Sequence, residues 1–159
     1  MFDKCLWLKI KNKSIIDIHN YICSKYSHIS FEPHVTINAK VNTNYINSYI
    51  DKFKSHKPKI IIDLSKPIIS DCDLFDDVEF YSIYINVKVI DFPMPKECNP
   101  HISFAYRINN DFSKKNIDDI VKILSMSDDT VYIDYEPVLS VEKCELSNKV
   151  WSGNEIIIR

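Results

Sequence analysis

Apolar positions alternate at the start of the chain and then change period. Residues Lys4–Ile10 read as a strand with Trp7 inside it. Ile15, Ile18, Ile22 and Tyr26 then recur at the spacing of one helical face, which predicts a helix capped by Ser14 and running to about Tyr26. His34–Val41 returns to strand character. Thr43 is placed to cap a second helix, with Ile46, Tyr49, Ile50 and Phe53 on one face. Lys59–Leu64 is strand-like, SDCDLFDDVE (70–79) reads as a turn, and Phe80–Val89 is a β-branched and aromatic strand. Three prolines mark 91–100 as a loop, and His101–Arg107 is a further strand. Ser113 is placed to cap a third helix with Ile117, Ile120, Val121 and Leu124 inward, and two or three strands are expected from Val131 onward.

This mixed order predicts an α+β fold rather than a doubly wound parallel sheet. The succession of Pro-His, strand, helix, strand occurs twice, from residue 33 and from residue 100, and predicts two pseudo-symmetric lobes. No linker separates them, so residues 1–159 are expected to form a single domain of intertwined lobes.

The repeated segment carries the chemistry. FEPHVTINAK (31–40) and CNPHISFAYR (98–107) both contain Pro-His-apolar-hydroxyl-apolar. In a strand, residues two apart face the same side, so His34 points with Thr36 and His101 with Ser103. Val35, Ile37, Ile102 and Phe104 point the other way, toward packing. The proline suits the first position of a strand, where no ladder donor is lost. Two imidazoles and two hydroxyls facing one cavity suit a phosphodiester. One neutral imidazole takes a proton from the nucleophile, one imidazolium gives a proton to the leaving oxygen, and the hydroxyls donate to the non-bridging oxygens. A single H-x-[ST] is weak evidence, and His28-Ile29-Ser30 supplies a decoy without the proline. The paired, proline-preceded form is much rarer.

Composition narrows the alternatives. One glycine excludes a Walker A loop and a GxGxxG fingerprint, so any phosphate recognition must rest on side chains. A net charge of −2 argues against long duplex nucleic acid but not against a small phosphorylated substrate. No apolar run of about 18 residues predicts a membrane span, and the N-terminus lacks a signal-peptide core, so an intracellular monomer is expected. The five cysteines form no CxxC pair, which leaves reduced structural thiols as the expectation. Abundant Ile, Asn and Lys suggest an AT-rich genome such as that of a large DNA virus or a parasite; a viral protein would act in the host cytoplasm.

The two motifs resemble those of the 2H phosphoesterase superfamily, named for its two H-x-[ST] motifs. It includes LigT-like RNA phosphodiesterases, cyclic phosphodiesterases, 2′,5′-oligoadenylate phosphodiesterases and a nuclease that trims spliceosomal small RNA. EPHVTI resembles the plant cyclic phosphodiesterases, PHISFAY the cyclic and RNA-trimming groups, and VEKCELSNKVW the end of the trimming nucleases. The resemblance implies a bilobal fold with antiparallel-rich sheets, outer helices and a central groove. It also implies catalysis without metal or other cofactor, with His34, Thr36, His101 and Ser103 as the catalytic set. The implied substrate is a nucleotide or short RNA carrying a 2′,5′ linkage, a 2′,3′-cyclic phosphate or a 3′-terminal linkage. The alternative is a catalytically silent nucleotide- or RNA-binding module of the same fold. A third reading makes the repeat an ancestral trace, with the two histidines far apart.

Other residues keep two readings. Trp7, Tyr84 and Tyr106 either stack on bases or pack in the core, and Tyr106 has the wrong strand parity relative to His101 unless a bulge intervenes. Lys40 and Arg107, each six residues beyond its motif histidine, either bind phosphate at the groove rim or end their strands in solvent. DCDLFDDVE lacks the glycine and acid spacing of a calcium loop. Cys98 is no nucleophile by adjacency alone. His19 and His56 are expected at the surface.

Overall fold

Leu6, Leu8 and Ile10 alternate with Trp7 and Lys9, and Cys5–Ile10 accordingly forms a strand, β1, that buries the aliphatic set on one face. The computed structural model describes residues 5–38, 46–64, 66, 68–75, 77–92, 94, 96, 98–127, 130–140, 150–151 and 155–157. Helix α1 (Lys13–Tyr26) follows, with Ile15, Ile22 and Tyr26 buried. Its N-cap is Asn12 rather than Ser14, and Asn12 makes no side-chain cap. The Asn12 amide instead donates to the Tyr132 carbonyl and accepts from the Asp134 amide, tying the helix start to the far end of the chain.

Then come β2 (Ser30–Phe31), β3 (His34–Asn38), α2 (Ile46–His56) and β4 (Lys59–Asp63). Thr43 and Lys40 lie outside the described residues. Strand β5 (Ile69–Phe75) occupies the stretch read as a turn. Its polar side chains are tolerated because it is an edge strand, held by antiparallel pairing to β6 (Val78–Asn86). The chain leaves the sheet at Val87, whose N–H bonds the Pro100 carbonyl, and continues as β7 (Lys88–Ile90).

Strand β8 (His101–Ile108) leads to α3 (Lys114–Ser125), where Ser113 and Asn116 form a reciprocal capping box. Ile120 and Leu124 of α3 are buried, but Val121, one residue round the helix, is 44% exposed, contrary to the inward placement expected of it. The tail supplies β9 (Thr130–Tyr132), β10 (Tyr135–Ser140), β11 (Val150–Trp151) and β12 (Glu155–Ile157).

The result is an α+β fold with mostly antiparallel sheets. The main sheet has the order β12-β10-β1-β3-β8-β6-β5; β7-β4-β9 form a second sheet, and β11 pairs with β2 in parallel. The main core lies behind the large sheet, where Leu6, Leu8, Val35, Ile83 and Ile102 meet Ile15 and Ile22 of α1, Phe53 of α2 and Ile120 of α3. A smaller cluster joins Cys23, Ile29, Phe31, Phe80 and Tyr106. Among the described residues, no helix is long and apolar enough to cross a membrane.

Strands β3 and β8 touch only at their starts. Register joins Val35 to Ile102 and Thr36 to His101, after which each strand runs on past the beginning of the other. Beyond Ser103 the loop after α1 lines that edge of β8. The His28 N–H donates to the Tyr106 carbonyl at 2.7 Å, and the Tyr106 N–H donates to Ser27 Oγ at 3.0 Å. The Ile108 N–H donates to His28 Nδ1, so the decoy histidine serves this loop.

Ser27→Ala removes the acceptor of the Tyr106 N–H. A stability loss of about 1–3 kcal/mol is expected in urea denaturation. Ser24→Ala, an exposed hydroxyl bonded within α1, should cost clearly less.

Candidate active site

The β3–β8 register decides which side chains share a face. Thr36 is opposite His101, and opposed residues of an antiparallel pair project to the same side. The two-residue period adds His34 and Ser103. All four motif residues therefore stand on one face of the sheet, and the two imidazoles occupy a cross-strand diagonal. Such neighbours stand about 7–8 Å apart, which leaves room for one phosphate with a hydrogen bond on each side.

A half-turn about an axis through the Val35–Ile102 pair, normal to the sheet, exchanges His34 with His101 and Thr36 with Ser103. The flanking strands follow the same relation. Trp7 of β1 is registered opposite Thr36, and Tyr84 of β6 opposite Ser103. Trp7 stacks on His34 with ring centroids 4.0 Å apart, and Tyr84 leans on His101 at 4.9 Å. Each motif strand then carries one extra residue at the same place. Leu6 pairs with Asn38 and Trp7 with Thr36, which leaves Ile37 unpaired; Ile83 pairs with Ala105 and Tyr84 with Ser103, which leaves Phe104 unpaired. The fifth residue of the repeated phrase is thus a bulge in both strands.

The bulge reverses the parity of two residues beyond it. It turns Tyr106 back to the face of the histidines, opposite Ser82, where the ring is buried against Phe31 at 4.6 Å and Phe80 at 5.0 Å. Tyr106 therefore packs in the small cluster. Arg107 turns to the opposite face. Its Nε donates to the Tyr26 carbonyl at 3.0 Å, its Nη1 to the Asp111 carbonyl, and its guanidinium lies over Phe112. The structure thus brings His34, Thr36, His101, Ser103 and Trp7 together and does not add Arg107. Lys40 lies outside the described residues.

The proline of each phrase acts through the residue before it, which it holds extended. The carbonyl of that residue faces the imidazole: Glu32 O lies 2.7 Å from His34 Nδ1, and Asn99 O lies 2.7 Å from His101 Nδ1. A carbonyl only accepts, so each Nδ1 carries its proton and each Nε2 is left as the working nitrogen. Burial lowers the pKa of both imidazoles, that of His34 to about 3. Ser103 Oγ is buried and has no hydrogen-bond partner among the described residues, so it can donate to a ligand.

The two halves differ in what lies behind the ring. His34 is 5% exposed, and Phe31 meets it edge-on at 6.0 Å. His101 is more open. The chain between β1 and β3 holds α1, whereas no helix lies among the described residues between β6 and β8. Among the described residues, no group of three His, Cys, Asp or Glu side chains is placed to hold a metal ion. On β5, Asp71 and Asp73 are registered opposite Ser82 and Phe80, on the face of the histidines.

Sequence reading missed two residues here. Tyr84 was open between stacking and packing, and only the register identifies it as the counterpart of Trp7. His19 was expected at the surface, yet it is 0% exposed. It lies edge-on to Phe31 at 4.7 Å and near Phe104 at 6.1 Å, and neither ring nitrogen makes a formed hydrogen bond among the described residues, although Asn20 and the Ser103 backbone are close. Burial lowers its pKa to about 4. Its polar helical neighbours concealed the site, because the apolar partners come from β2 and β8.

Comparisons with protein-family models, curated proteins and solved structures find no match.

Between pH 6.5 and the depressed values of His19 and His34, the unfolded chain binds protons that the folded chain refuses. Stability is complete above pH 6.5 and falls as the pH is lowered through that window. His19→Gln should abolish about 3 kcal/mol of the loss between pH 7 and pH 4, measured by urea denaturation at both pH values.

Proposed function

We propose that the chain is a 2H-type phosphodiesterase that cleaves a ribose phosphodiester in a nucleotide or short RNA. The observation that carries this reading is the half-turn-related pair of imidazoles, each locked at Nδ1, with a hydroxyl beside each on the same face. The equivalent bulges and flanking aromatics extend the relation to β1 and β6, which supports the two-lobed arrangement of that superfamily.

A phosphodiester bridges the two Nε2 atoms. The more deeply buried His34 remains neutral and takes the proton of the attacking 2′-hydroxyl or water. His101, the more open imidazole, takes up a proton as the anionic substrate binds and gives it to the leaving oxygen. Thr36 and Ser103 donate to the non-bridging oxygens, where charge accumulates. The step needs no redox partner, and protons balance: one is taken by His34 and one is delivered by His101. Asp71 and Asp73 disfavour further phosphates on the β5 side, so compact substrates suit this face better than long strands.

The test is turnover in EDTA on 2′,5′- and 3′,5′-linked oligoadenylates of two lengths and a 2′,3′-cyclic nucleotide. Cleavage of one class is expected, with the shorter chain preferred. His34→Ala and His101→Ala should each lower kcat about 10²–10⁴-fold, and Ser103→Ala about 10²–10³-fold. Binding with no turnover in the wild-type protein would replace this reading with a silent nucleotide-binding module.

The pH profile is a second check. Both imidazoles titrate below the ordinary value of 6.5, and the basic limb belongs to the donor. The optimum of kcat/KM is expected below pH 6.5, with activity falling as the pH rises toward 8. His101→Gln should lose that basic limb, whereas an optimum above pH 7.5 would contradict the assignment.

A further inference from the structure

The four strands that cross the site place two rows of side chains on the face of the histidines. Register and the two-residue period give Trp7, Thr36, His101 and Asn86 in one row and Lys9, His34, Ser103 and Tyr84 in the next. The local half-turn exchanges the rows, so Trp7 corresponds to Tyr84 and Lys9 to Asn86. The inner four are the motif residues. The outer four are where the two flanks differ.

The β1 flank is filled. Trp7 is 8% exposed and stacks on His34. Lys9 is ion-paired with Glu32 at 3.0 Å, and Glu136, registered opposite Lys9 on β10, is paired with Lys11 at 2.9 Å. The β6 flank is open. Asn86 is exposed and Tyr84 half-buried, and neither side chain has a hydrogen-bond partner among the described residues. The Tyr84 ring is tilted by 52° to that of His101 and does not lie flat on it. Beyond β6, the edge strand β5 carries Asp71 and Asp73 on the same face. Burial, and then these two carboxylates, raise the Tyr84 pKa, so the phenol keeps its proton near neutrality.

Resting on the phosphodiesterase reading, we propose that the leaving group is a nucleoside held on the β6 flank, with Tyr84 stacked on its base and Asn86 hydrogen-bonded to it. Direction comes from the proton. His101 gives it to the leaving oxygen, and Asn86 is registered directly beside His101 on β6. The departing group therefore lies over β6 rather than β1. A nucleoside matches what that flank offers: an aromatic ring for its base and an amide that both donates and accepts. The carboxylates of β5 accept from amino and hydroxyl donors and disfavour a further phosphate.

The experiment compares two esters of one adenosine phosphate, each made with the 2′ and with the 3′ linkage. In the dinucleotide the leaving group is adenosine, and in the methyl ester it is methanol. The readout is the ratio of their kcat/KM values, from which general damage to His101 cancels. Wild type should favour the dinucleotide. Tyr84→Leu should cut the ratio about tenfold or more, and Asn86→Ala about fivefold. Tyr84→Phe, which keeps the ring, should keep the preference.

A Tyr84→Leu protein that slows both esters equally overturns the proposal, because a ring that only supports His101 would do the same. So does wild type that cleaves the methyl ester as fast as the dinucleotide. Wild type that opens only a 2′,3′-cyclic phosphate also overturns it, since no nucleoside leaves in that reaction, and the phosphodiesterase reading then stands. If wild type cleaves none of these, the phosphodiesterase reading fails, and NMR shift mapping with adenosine decides the rest. Shifts centred on Tyr84 and Asn86 would keep a nucleoside site on this flank, and their absence would overturn it.

Discussion

The site depends on one short ladder, the two registered pairs that join the starts of β3 and β8. If that ladder slipped by one residue, the histidine and hydroxyl of one strand would turn into the core while the other pair stayed on the open face. Register is protected by what each strand buries. Val35 and Ile102 meet at the centre of the ladder and face α1 and the main core, so a slip would exchange buried aliphatics for imidazole and hydroxyl. The hydrophobic effect thus fixes the geometry of the four motif side chains from the rear of the sheet. Two pairs suffice because β1 and β6 grip the motif strands from outside along longer ladders.

Near-symmetry solves one problem and raises another. It brings two imidazoles with matching Nδ1 anchors to one face, where the proposed reaction places one phosphate, which a single strand cannot do. The proposed acid–base reaction nevertheless requires the two to differ in protonation at the moment of reaction. The fold makes the difference with the segment after helix α1, which brings Phe31 against His34 and leaves His101 more open. Burial lowers the pKa of three histidines, His19, His34 and His101, and acid sensitivity is the consequence. The proposed reaction, with one neutral and one charged imidazole, would tie chemistry and stability to the same pH range.

Much of this arrangement was legible in the chain. The strand–helix–strand succession after each Pro-His, the shared face of His34 with Thr36 and of His101 with Ser103, and the inward turn of their neighbours follow from a two-residue period. What escaped was whatever a bulge or a distant partner controls. Arg107 has the right parity on paper, but the unpaired Phe104 reverses every side chain beyond it. The acidic stretch before β6 has the composition of a turn and becomes a strand because its hairpin partner is strongly β-forming. His19 sits among polar helical neighbours, and the apolar groups that close over it are at least a dozen residues away in sequence. Local pattern carries no information on such contacts.

The repeated phrase can now be read position by position. The residue before the proline offers its carbonyl to the imidazole, and the proline holds that residue extended so that the carbonyl faces the ring. The histidine presents Nε2. The apolar residue after it anchors the register, the hydroxyl stands beside the ring, and the final apolar residue is the bulge that re-aims the strand as it leaves the site. Each position answers a different physical demand, and removing one would leave the others without their geometry. A phrase of independent strand residues would have no reason to recur with both prolines and both bulges in place. The recurrence is best explained by two strands that must bring the same constellation to one point from opposite directions.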